Sequence, residues 1–207
     1  MNIIDTMEQG SSDWLALRLG KVTASKVKDV LTKGRGNAPS KTAETYMMEL
    51  IAEKLTGKSK PFFENDAMRW GTETEPQARS MYSVNNDFVD VREVAFIEHN
   101  EFIGVSPDGL IGDDGMLEVK CPNTTTQLKR ALSDDYSADY KAQIQMQLWV
   151  AGREWCDFLS FDPRLDCAAG YLQQRVYRDE KYIEEMEGKV FAFVDSMNEI
   201  INKLTKQ

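Results

Sequence analysis

The sequence predicts an α/β sandwich built around a mixed sheet and extended at its start by helices. Two observations carry that expectation. Apolar residues recur at helical spacing through residues 1–90 and 179–207, and strand-like runs cluster between 91 and 178 around one further helix. A length of 207 residues with 42% hydrophobic residues suits a single domain with an ordinary folded core.

Taken in order, Ser11-Ser12-Asp13 offers capping oxygens ahead of Trp14–Leu19, and Gly20 supplies a stop. A second start lies at Thr23-Ala24-Ser25 and leads into Val27, Val30 and Leu31. Lys33–Ser40 reads as a flexible basic loop. Tyr46, Met47, Leu50, Ile51 and Leu55 share a helical face closed by Gly57. Ala67–Val84 reads as helix interrupted or restarted at Pro76, since proline fits best in a first turn. Strand-like runs follow at Val91–Ile97, Phe102–Val105, Met116–Val119, Phe158–Phe161 and Tyr171–Tyr177, with His99 in a polar turn between the first two. Tyr140–Ala151 is helical, and Lys181–Leu204 carries an apolar stripe suited to core or subunit contact.

Composition narrows the chemistry. With His99 the single histidine, a histidine-rich metal site is excluded and a nucleophilic Ser–His or Cys–His pair would depend on that residue alone. Cys121, Cys156 and Cys167 form no CxxC pair, which argues for free, buried or partly buried thiols rather than disulfides, a zinc knuckle or a four-cysteine cluster. No run approaches the roughly 18–20 apolar residues of a membrane span. The first ten residues lack the basic flank and apolar run of a secretory signal, so a cytoplasmic protein without a membrane partner is expected. The net charge of −9 is uneven: residues 1–60 carry ten Lys/Arg against seven Asp/Glu, and residues 61–207 fifteen against twenty-seven. A local basic surface can meet nucleic acid while the acidic remainder attracts cations.

The chemistry concentrates in Gly104–Lys120. Pro107-Asp108-Gly109 has turn chemistry after an apolar strand, and Gly112-Asp113-Asp114-Gly115 is a hairpin-type turn. The chain folds back and brings Asp108 toward the strand holding Glu118. Strand side chains alternate, so Glu118 and Lys120 point one way and Val119 the other. Two carboxylates and an ammonium then converge, a set suited to phosphodiester hydrolysis. Mg²⁺ prefers oxygen ligands, activates water and screens developing charge, while Lys120 orients the attacking water or stabilises transition-state oxygens.

Pro107-Asp108, a spacer and Glu118-Val119-Lys120 resemble the signature of the restriction-endonuclease-like nuclease superfamily. Trp14–Ser25, Trp70–Glu75 and Tyr140–Trp149 further resemble the phage lambda exonuclease or viral recombinase (alkaline exonuclease) family, as do Phe161–Arg164 and Arg178–Tyr182. The resemblance runs from about Gly10 to Tyr182 and implies a restriction-endonuclease-like core with a central mixed sheet flanked by helices. It implies Asp108, Glu118, Lys120, Glu75 and Gln143 as catalytic residues, and Asp108, Glu118 and Val119 as metal ligands. Arg18, Ser25 and Ser106 are implied as binders of a DNA 5′-phosphate. Tyr140 is a neighbour of Gln143, and Glu73, two residues from Glu75, faces elsewhere on a helix. Gln143 and Gln147 share a face with Tyr140, and Gln145 lies on another.

The activity so implied is a Mg²⁺-dependent 5′→3′ exonuclease on double-stranded DNA ends that leaves a 3′ single strand, with two ions per site and Mn²⁺ as the alternative metal. A homotrimeric ring around DNA, a phage single-strand annealing protein as partner and a phage or prophage origin are implied with it. Two other readings stay open on the residues: an endonuclease of the same superfamily, and a catalytically silent DNA-end-binding module.

Overall fold

The structure is a computed structural model that describes residues 2–34, 39–59 and 65–206. Two of its first helices begin where the sequence supplies caps. In α1 (Ser12–Arg18) the Ser11 hydroxyl accepts from the Trp14 amide, and in α3 (Lys41–Thr56) Ser40 does the same for Ala43. Gly20 and Gly57 follow with left-handed backbones, φ +65° and +67°, which glycine adopts without a side-chain clash. Between them Ala24–Lys26 makes one 3₁₀ turn that runs into α2 (Val27–Leu31). The centre of the predicted Lys33–Ser40 loop lies outside the described residues, and its ends, Lys33 and Pro39, pair antiparallel.

The expected break at Pro76 does not occur. Helix α4 (Asp66–Asn85) runs through it, capped by Asn65. Thr74, Ala78 and Tyr82 bury one stripe along the second half of the helix, while Pro76 sits on the exposed side where water reaches the freed carbonyl. Docking outweighs the local penalty.

The strands divide into two mixed sheets. One has the order β1 (Asn2–Ile4), β3 (Phe96–Asn100), β4 (Ile103–Val105), β2 (Val22–Thr23), antiparallel except for β4 with β2. The other has the order β5 (Gly109–Ile111), β6 (Gly115–Lys120), β7 (Trp155–Phe161), β8 (Tyr171–Tyr177), with β6 and β7 parallel. The chain passes from the first sheet to the second through Ser106-Pro107-Asp108, and an Arg92–Leu110 bridge ties them. Within the predicted Val91–Ile97 run, Arg92 therefore bridges to β5, and the regular strand starts only at Phe96. The crossover from β6 to β7 carries α5 (Thr124–Ala131) and α6 (Lys141–Ala151), and α7 (Glu180–Thr205) ends the fold.

β6 shows why the sheet is a sandwich. Met116 faces a core shared with α2, α3, α6 and α7, while Leu117 and Val119 face a second cluster under α4. Gly115 stands opposite Trp155, whose indole occupies the place a Cβ at 115 would need. The stripe of α7, Ile183 to Met197, is buried in the larger core. His99 is not in a turn: it belongs to β3, with its ring tilted against Trp149 at 5.0 Å, and the turn falls at Glu101 and Phe102. Cys121 and Cys156 are buried free thiols as expected, but Cys167 is exposed because it lies in the loop before β8.

Candidate active site

The predicted hairpin forms, with Ile111 opposite Gly115 and Gly109 opposite Leu117. It carries Asp108 alongside the end of β6, where the Asp108 amide donates to Leu117 O at 3.2 Å and its Oδ2 accepts from the Val119 amide at 2.6 Å. Val119 therefore contributes main chain to the site and turns its side chain into the α4 cluster. On the other face of β6, Glu118 is 1% exposed. Its carboxylate accepts from Lys120 Nζ and Gln143 Nε2 on one oxygen and from Gln147 Nε2 at 2.7 Å on the other.

Glu75 comes from α4. Its carboxylate accepts from Arg79, which also donates to Glu93 at 2.9 Å. Burial raises the Glu75 pKa against the pull of Arg79 and Lys120, with Glu118 adding to the rise. Asp108 is driven well above the usual carboxylate range by burial, then by the charges of Glu118 and Glu75. Burial works against the charge on Lys120, but the Glu118 and Asp108 carboxylates outweigh it and raise its pKa. Three acids and one lysine thus feel one another across a small volume. Glu73, by contrast, lies on the exposed side of α4, so the helix separates the two candidate glutamates.

A divalent cation fits this donor set. Among the described residues no three His, Cys, Asp or Glu side chains form a ready-made cage. The donors present are nevertheless all oxygen, and Mg²⁺ is commonly held by one or two carboxylates with waters. Burial, and after it the repulsion from Glu118 and Glu75, raises Asp108, and a cation there would offset both.

Asp108 and Glu75 open onto a cleft of about 770 Å³ between the 7–15 segment and α4, with Gln9, Trp14, Arg79 and Glu93 on its walls. Gln9 straps the N-terminal loop down by donating to Val94 O at 2.9 Å and Pro107 O at 3.1 Å. Beside it, Ser106 Oγ accepts from Trp14 Nε1 at 3.1 Å and from Arg18 Nη1 at 3.4 Å. The Arg18 guanidinium lies 4.2 Å over the Trp14 ring, and burial lowers its pKa. Thr23 pairs with Gly104, so Ser25 and Ser106 each follow two residues later at the same end of β2 and β4. Ser25 is exposed, and among the described residues no hydrogen bond joins it to Arg18 or Ser106.

Tyr140 stacks on Phe158 at 5.2 Å, with Lys120 Nζ 5.3 Å from its ring and Arg130 5.4 Å. Gln145 takes a different face of α6, as its spacing predicts, and binds Tyr177 O and the Asp179 amide. The sequence reading did not single out Arg79 or Arg130. Arg79 was findable as the i+4 partner of Glu75. Arg130 was not, because α5 buries only Gln127 and so offers no apolar periodicity.

Residues 13–154 match the YqaJ-like viral recombinase domain. The fold is similar to an alkaline exonuclease from Laribacter hongkongensis, 41% identical, with a TM-score of 0.85 over 94% of this chain and 96% of that one. The same exonuclease in complex with dAMP gives 42% identity and the same TM-score and coverage. A phage-related exonuclease from Haemophilus somnus 129PT is 19% identical, with a TM-score of 0.67 over 89% of this chain and 96% of that one, a likeness of fold alone. An uncharacterized protein of Acanthamoeba polyphaga mimivirus is 28% identical in a match 174 residues long that covers 75% of this chain but only 29% of that protein. With the domain match covering Trp14 through Gln147 and the exonuclease similarity nearly the whole chain, this chain belongs to the YqaJ-like viral recombinase domain family.

Proposed function

We infer that the chain is a single-domain, divalent-metal-dependent 5′→3′ exodeoxyribonuclease that degrades one strand of duplex DNA from its ends. One observation carries the reading. The Ser106–Asp108 joint holds, within three residues, a hydroxyl group touched by Arg18 and an acid charge-linked to Glu118, Glu75 and Lys120. A terminal phosphate held at Arg18 and Ser106, with Ser25 nearby, sets the first phosphodiester beside those acids.

Asp108, Glu118 and the Val119 carbonyl are the groups that would hold Mg²⁺ or Mn²⁺, one or two ions per site. When bound, the metal supplies an activated water and screens charge on the phosphorus oxygens. Lys120 presents an ammonium toward the same volume, held charged by its acidic neighbours. Gln143 orients Glu118, and Glu75 is available as a further acid. The dAMP complex of the Laribacter hongkongensis exonuclease supports a site for deoxynucleoside monophosphate, the product expected here. Family membership supports a recombination role. To that role we add, as part of the same proposal, a trimeric ring around DNA, a phage single-strand annealing protein as partner, and action in the cytoplasm of a bacterial host. No helix among the described residues is long and apolar enough to cross a membrane.

The test is digestion of linear duplexes labelled at one end, with and without Mg²⁺ and a 5′-phosphate, beside covalently closed circles. Mg²⁺-dependent release of 5′-end mononucleotides from linear DNA, with intact circles, is expected. Cutting of circles would replace this reading with an endonuclease, and no digestion at all with a silent end-binding module.

A further inference from the structure

Gln147 is 1% exposed, and its side chain reaches two groups. Nε2 donates to Glu118 Oε2 at 2.7 Å and to the main-chain oxygen of Ser106 at a longer 3.5 Å. Both partners are acceptors only. The amide therefore has a single workable orientation: turning it over would press its oxygen against a carboxylate and a carbonyl. That orientation leaves Oε1 buried without a partner. A buried acceptor left unsatisfied costs about 1–3 kcal/mol, and such groups in native proteins call for an explanation beyond packing. A methionine or leucine would fill the same space on α6 without that cost. What the amide adds is the pair of bonds to Glu118 and Ser106.

Ser106 is also where the phosphate cluster attaches. Its hydroxyl takes bonds from Trp14 and Arg18 while its carbonyl takes the one from Gln147. A continuous path of hydrogen bonds thus runs from Arg18 through residue 106 and the Gln147 amide to Glu118. The geometry points to Gln147 as a positioning residue that fixes the Glu118 carboxylate and ties it to the main chain at Ser106, so that end recognition and metal binding share one support. This deepens the nuclease reading and rests on it.

The experiment titrates Mn²⁺ into the whole protein by calorimetry for wild type, Gln147→Met and Asp108→Ala. Initial rates on 5′-phosphorylated and 5′-hydroxyl duplexes are compared for wild type and Gln147→Met. Methionine keeps the volume and removes both bonds. Loss of a partner that orients a metal ligand lowers metal affinity by about 10- to 100-fold, so Gln147→Met should bind Mn²⁺ at least tenfold more weakly. Its preference for phosphorylated ends should fall together with that affinity, while its far-UV circular dichroism stays that of wild type. Should Gln147→Met not fold, Gln147→Asn replaces it, because the shorter amide withdraws from Glu118 and carries the same expectation. Wild-type Mn²⁺ affinity, or an unchanged phosphate preference, in the folded variant overturns the proposal while the nuclease reading stands. If wild type binds no Mn²⁺, or Asp108→Ala binds it equally well, the metal-site reading fails and this proposal with it.

Discussion

Asp108 serves the site through two bonds that do different things. Its main-chain amide extends the β5–β6 ladder, and its carboxylate caps the Val119 amide. Removing the carboxylate by Asp108→Ala leaves the ladder bond in place, so the fold should persist while Mg²⁺-dependent digestion falls by roughly 1000-fold, the equivalent of about 4 kcal/mol at the transition state. Steady-state kinetics with a circular dichroism control checks this, and wild-type-like digestion would remove the proposed centre. Arg18 stands elsewhere, on Ser106 and the Trp14 ring. Arg18→Ala should erase most of the preference for 5′-phosphorylated over 5′-hydroxyl ends and spare basal cutting. Equal losses on both ends would assign Arg18 to packing. At this scale Asp108, Glu118 and Lys120 could be read from the chain because strand alternation and a glycine-rich turn are local rules. The bonds of Gln147 and the reach of Arg79 to Glu93 were not legible, since each joins residues that only tertiary folding brings together.

Helix α4 is fastened to the sheet by a polar knot rather than by apolar contact alone. Asp157 on β7 is fully buried and receives both Arg175 Nε and Nη2 at 2.8 Å and the Tyr82 hydroxyl at 2.6 Å. The Arg175 guanidinium lies 3.6 Å over Trp155. Removing Asp157 leaves the buried Tyr82 hydroxyl without its acceptor, while the half-exposed Arg175 can turn to water, so Asp157→Ala should destabilise the protein by about 1–3 kcal/mol. Urea unfolding measures it, and a loss within about 0.5 kcal/mol would show that the knot contributes nothing net. Because α4 also carries Glu75, a folded remnant of this variant should lose activity beyond its loss of stability. Most elements were legible wherever capping residues and apolar periodicity agreed, as in α3, β8 and α7. Pro76 misled because a proline penalty is local whereas the docking of Thr74, Ala78 and Tyr82 is not. The short strands β1, β2 and β5 have two or three residues each, too few for any period to show.

For the molecule as a whole, a net charge of −9 sits poorly with open binding to DNA and better with enclosure, where encirclement replaces part of the missing attraction. Light scattering coupled to gel filtration should therefore give three copies per particle, and a clean monomer would contradict the ring. A last consequence belongs to Trp155 and Gly115. The indole leaves room opposite it for a residue without a side chain, which pins how far β6 can travel along β7. Were the strand to slip by a single residue, Val119 would meet the amides of α6 and Glu118 would be pushed into the greasy layer below α4. The tryptophan is in effect a gauge block for the opposite end of the strand: the alignment that seats it against Gly115 is the one that sets Glu118 beside Lys120 and Gln143.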